Sequence, residues 1–70
     1  AIDDATITTG VKAAIHGDPN LKVSELVVET EGGVVQLGGF VSSADDVAAA
    51  AAAARTVKGV KSVRNDLRLR

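Results

Sequence analysis

Seventy residues with a formal net charge of −1 leave room for little beyond one small domain. A chain of this size cannot divide its apolar residues between two cores, and it buries only about 60% of the surface its unfolded form exposes. The absence of cysteine removes disulfides, thiol nucleophiles and thiolate metal sites, and a single aromatic, Phe40, offers no platform for stacked nucleic-acid bases.

The first element is predicted as a helix over Ile2 to His16. Ile7, Val11, Ala14 and Ile15 recur at the three- and four-residue spacing of one helix face. Asp3 suits the N-cap, with Ile2 and Ile7 in the staple positions around it. Gly17 is expected in the left-handed conformation just past the helix, and Pro19 blocks continuation. Thr8, Thr9 and Gly10 are poor helix formers, so this helix depends on tertiary packing.

A hairpin follows, Leu26 to Glu31 and Val34 to Val41 around Gly32-Gly33. Leu26, Val28 and Thr30 alternate with Val27, Glu29 and Glu31; Val35, Leu37, Gly39 and Val41 alternate with Val34, Gln36, Gly38 and Phe40. The glycine pair supplies the positive φ that tight hairpins require. Gly38-Gly39 inside a strand signals a bulge or a close backbone approach by another element. Ser43 starts a second helix that runs to about Val57, with Asp46 three residues on as a variant capping box. Its seven alanines, Ala48 to Ala54, have the highest helix propensity and make a thin rod expected to lie close over Gly39. Gly59 ends it. Val60 to Arg70 is the last strand, with Val63, Asn65, Leu67 and Leu69 on one face and Arg64, Asp66, Arg68 and Arg70 on the other.

The order α-β-β-α-β defines an α+β fold. The hairpin and the helical crossover make a three-stranded mixed sheet, with two helices packed on one face. The pattern does not decide which strand is central. The other face is expected to be wet and to carry Glu29, Gln36, Arg64, Asp66 and Arg68. No apolar run reaches membrane-spanning length.

Few residues invite chemistry. His16, the only histidine, has no cysteine or second histidine to complete a zinc set, and a cation in the last helical turn suits the helix dipole. Asp3-Asp4 and Asp45-Asp46 are paired carboxylates, but both pairs sit where helices begin and free N–H groups need acceptors. The glycines form neither a P-loop nor a dinucleotide fingerprint. Ser42 and Ser43 have no histidine near them in sequence. The reading is non-enzymatic, with no cofactor and no metal. Charge is split along the chain: Asp3, Asp4, Asp18, Glu25, Glu29 and Glu31 precede Gly33, whereas Arg55, Lys58, Lys61, Arg64, Arg68 and Arg70 follow Ala54. Arg64, Arg68 and Arg70 on one strand face are the leading candidates for contact with anionic lipid headgroups, with Lys58 and Lys61 around Gly59 next. The competing reading is a solvated sheet face on which they pair across strands with Glu29.

Taken in order, several segments resemble the BON domain, the bacterial OsmY-type and nodulation family. They are Asp3-Asp4-Ala5-Thr6-Ile7, Val11-Lys12-Ala13-Ala14-Ile15, Val28-Glu29-Thr30, the glycine-led run Gly33 to Val41, then Ala50, Ala54, Val57, Gly59-Val60, Val63 and Asn65-Asp66-Leu67. The alanine tract departs from the family, whose members mix larger apolar and charged residues there. The resemblance implies a binding module of the periplasm or envelope, with roles in phospholipid association and osmotic stress. It also implies that residues 1–70 are one domain of a longer, tandem protein. A neighbouring domain of the same protein is the alternative partner, and a potassium-responsive cytoplasmic module is a further one, since a similar domain occurs in a cytosolic potassium-binding protein.

Overall fold

The computed structural model describes residues 2–70. Its elements are α1 (Asp4–His16), β1 (Ser24–Glu31), β2 (Val34–Val41), α2 (Ala44–Arg55) and β3 (Ser62–Leu69), the α-β-β-α-β order of an α+β fold. Asp3 caps α1 by accepting the Thr6 N–H at 2.8 Å, which satisfies one of the orphan donors of the first turn. Ser43 caps α2 by accepting the Asp46 N–H at 3.3 Å.

The sheet order is β1-β2-β3, so β2 is central, antiparallel to β1 and parallel to β3. Both helices cover one face. Ile7, Val11 and Ile15 of α1 and Ala50 and Ala54 of α2 close over Val28, Val35 and Leu37 to form the core. Leu37 is completely buried, whereas Val63 is only half-buried at the margin of the core. Thr30, on the inner face of β1, spends its hydroxyl on Thr8 of α1 at 2.8 Å.

Several local expectations are corrected. Gly17 has φ −78°, a right-handed value; a side chain is resisted there by the Ala13 carbonyl, 2.9 Å from where a Cβ would stand. The second helix stops at Arg55 with Thr56 as its cap, and the Thr56 hydroxyl donates to the Ala53 carbonyl at 2.7 Å. Gly59, at φ +97°, belongs to the turn beyond.

The largest correction concerns Gly39. It does not lie beneath the alanines of α2. A Cβ on Gly39 would stand 2.8 Å from the Ser24 carbonyl and 3.2 Å from that of Glu25. Ser24 pairs with Phe40 and Val27 with Gly38, so Glu25 and Leu26 together face Gly39. This is a β-bulge on β1. Glu25 adopts φ +55° and Gly39 φ +140° to accommodate it. The close approach between helical elements is elsewhere: a Cβ on Gly10 of α1 would stand 2.9 Å from Cγ1 of Val57, just past α2.

Candidate functional site

The face of the sheet away from the helices carries the candidate site. Cα register places Glu29, Gln36 and Arg64 in one row across it, Val27, Gly38 and Asp66 in the next, and Phe40 beside Arg68 beyond that. Glu29, Gln36, Arg64, Asp66 and Arg68 are all exposed, as expected. Val27 leaves 52% of its surface open among them.

The five predicted cations do not form one cluster. Arg64 and Arg68 share this face about 13 Å apart, four residues along an extended strand. Arg64 does not pair with Glu29, because central β2 keeps their backbones roughly 9–10 Å apart. It makes no ion pair among the described residues. Arg68 approaches Asp66 at 3.9 Å, with both side chains mostly in water, a contact worth little.

Arg70 lies past the end of β3 and is already engaged. Its guanidinium sits 4.4 Å from the centroid of the Phe40 ring and reaches Glu25 at 3.5 Å. Cation–π contact and ion pairing both restrain it. Lys58 and Lys61 are at the opposite end of the sheet, Lys61 roughly 30 Å along the chain from Arg70 if extended. With Ile2, Ile7, Gly32, Gly33 and Gly59 they line an open groove of about 640 Å³.

Asp4, which the sequence suggested only as a partner of the N-cap, has a separate task. Its carboxylate accepts the Gly32 N–H at 2.9 Å and the Gly33 N–H at 3.1 Å. The start of α1 thus clasps the tip of the hairpin. The only sequence signal for this was a second acid beside a sufficient cap. Asp3 is held below its ordinary pKa of 3.8 by the Thr6 backbone N–H and, after it, by the Thr6 side chain. Asp46 accepts the Ser42 hydroxyl at 3.2 Å, and Asp45 stands exposed in the first turn of α2. His16 ends α1, exposed, and the described residues hold no group of three or more His, Cys, Asp or Glu side chains placed to bind a metal ion.

Residues 3–70 match the BON domain. The chain belongs to the BON family. Over 69 residues, 99% of its length, this BON domain is 41% identical to the Osmotically-inducible protein Y of Escherichia coli strain K12. The match takes in 34% of the E. coli protein, so the chain spans about a third of the length of that relative. The segments that carry the BON resemblance have structural assignments. Gly33 to Val41 is the hairpin turn and central strand, and Gly59 packs a Cβ-free backbone against Ile2 and Ile7. Asn65 donates from Nδ2 to the Val47 carbonyl at 2.8 Å, pinning α2 to β3.

Proposed function

We propose that this BON domain is a non-catalytic module that attaches to anionic phospholipid surfaces in the bacterial envelope and serves the response to osmotic stress. The observation that carries this reading is the uncovered sheet face, where Arg68 projects beside the half-buried Phe40, with Arg64 further along the same strand and the exposed Val27 across the sheet on β1. Cations next to apolar side chains suit an interface of headgroups and acyl chains. Each basic residue near such a surface contributes about 1 kcal/mol. Glu29, Glu31 and Asp66 lie on the same face and oppose part of that attraction, so a single domain binds weakly and gains from repetition in a longer chain. Lys58 and Lys61, flanking Ile2 at the hairpin end, extend the basic surface. The name of the E. coli relative supports the osmotic setting. Periplasmic or envelope location is part of the same proposal.

Co-sedimentation with vesicles tests it. Replacing Arg64 and Arg68 together with Ala is expected to weaken binding to anionic vesicles about thirtyfold, the equivalent of about 2 kcal/mol. Salt is expected to weaken the parent more than the variant. Unchanged binding by the folded variant removes this face as the lipid site. A second reading, a neighbouring domain of the same protein docked on the open face, is favoured by its mixed charges and the exposed Val27; it predicts no vesicle binding by either protein.

A further inference from the structure

We infer that the free edge of β3 pairs antiparallel with β3 of a second copy, joining two sheets into one of six strands. Two edges terminate the sheet, β1 and β3, and they differ. The inner face of β1 is sealed at Val28, and a bulge interrupts its line. β3 has neither bulge nor proline, and none of its eight residues is buried. Val63 and Leu67 face the helix layer yet stay half-exposed, because the alanines of α2 are too short to overhang them. An edge with incompletely buried apolar side chains and free backbone groups is a template for another strand.

The backbone direction is fixed by the ladder. The Arg70 N–H donates to the Val41 carbonyl at 2.9 Å, and N–H groups alternate sides along a strand. Those of Val63, Asn65 and Leu67 therefore point away from β2. Consistent with this, the Leu67 N–H donates to the Asn65 side-chain oxygen at 3.3 Å, a long bond that it exchanges for a backbone carbonyl when a second strand pairs.

The sequence of this edge complements itself about Asn65. Running antiparallel with Asn65 opposite Asn65, Val63 meets Leu67 of the second copy and Arg64 meets its Asp66, each twice by symmetry. The outward N–H and C=O groups of residues 63, 65 and 67 then form roughly six inter-strand hydrogen bonds. Arg64 and Asp66 fall at the non-hydrogen-bonded positions, where opposing side chains approach most closely. The apolar pairs lie on the helix side and the ion pairs on the open face. Shifting the register by one residue on each strand sets Arg64 against Arg68 and Asp66 against Asp66 in one direction, or Arg64 against Arg64 in the other, so charge favours the first arrangement over both neighbours. This contact uses the backbone of the sheet edge, but it shares Arg64 with the lipid-facing surface proposed above; sedimentation without lipid reads the pairing alone.

Sedimentation of the isolated chain over micromolar to millimolar concentrations tests the pairing. The parent is expected to pass from monomer to dimer. Arg64→Asp and Asp66→Arg, both at exposed positions, each place like charges across the edge and are expected to weaken dimerisation at least about tenfold. A mixture of the two single variants restores the complement and is expected to recover association, as is the Arg64→Asp, Asp66→Arg double variant alone. Circular dichroism verifies that each is folded. Should a variant not fold, amide exchange of the parent decides: protection of Val63 and Leu67 rises with concentration. A parent that stays monomeric, a dimer indifferent to both reversals, a mixture that fails to re-associate, or Val63 and Leu67 protection that ignores concentration overturns the inference.

Discussion

Replacing Asp4 with Ala should open the clasp between the start of α1 and the hairpin tip. Two backbone donors lose their acceptor, Gly32 at 2.9 Å and Gly33 at 3.1 Å. A hydrogen bond to a charged group contributes about 1.5–3 kcal/mol when sheltered. Gly32 is exposed, so water replaces the carboxylate there at small cost; Gly33 is buried, and its loss counts more fully. A fraction of a kcal/mol is added for a carboxylate removed from the first helical turn. The sum is about 2 kcal/mol. For a domain of this size that corresponds to a melting temperature lower by roughly 10 °C. Asp4→Asn is expected to lose nearly as much, since its one oxygen serves one N–H while its amide group confronts the other. Thermal unfolding followed by circular dichroism measures the effect, and exchange of the Gly32 and Gly33 amides localises it. If Asp4→Ala melts within a degree or two of the parent, the clasp contributes nothing and the reasoning fails.

Gly39→Val should destabilise by roughly 2–4 kcal/mol in urea titration, because the side chain meets the Ser24 and Glu25 carbonyls and a φ of +140° disfavours it; a midpoint equal to the parent's would refute the bulge contact. The Asp3 carboxyl titrates below its ordinary 3.8 in the folded state, so it contributes stability above that pH which is lost as pH falls through the lower folded value. Asp3→Ser, a neutral cap, should therefore show a shallower loss of melting temperature below about pH 4 than the parent, and parallel curves would contradict it.

The periodicities of Ile7, Val11, Ile15, Val28, Val35 and Leu37 made the fold legible, because each of those side chains obeys the spacing of its own element. Three features were not legible, since each depends on a distant partner. Gly38-Gly39 announced a close approach without saying from what, and the answer, Ser24 and Glu25, lay at the start of a strand whose first two residues carried no strand signal. Gly10 looked like a weak point in α1 and is a seat for Val57. The second acid of Asp3-Asp4 reads as capping until the hairpin is brought within reach. At the candidate site, alternation along β3 separated Arg64 and Arg68 from the core correctly. It could not show that Arg70 is held by Phe40 and Glu25, nor that β2 intervenes between Arg64 and Glu29, because strand order is a property of the whole sheet.

The bulge at Glu25 also bears on how far association can spread. Self-pairing at β3 is symmetric and consumes that edge in both partners, leaving only the two β1 edges outward. β1 carries glutamates at positions 25, 29 and 31 and no cation, and its left-handed Glu25 breaks the line a further strand would follow. Growth therefore stops at two copies, where β1 edges adding to β3 edges would otherwise have produced an open fibre. A kink at one end of one strand thus limits assembly size.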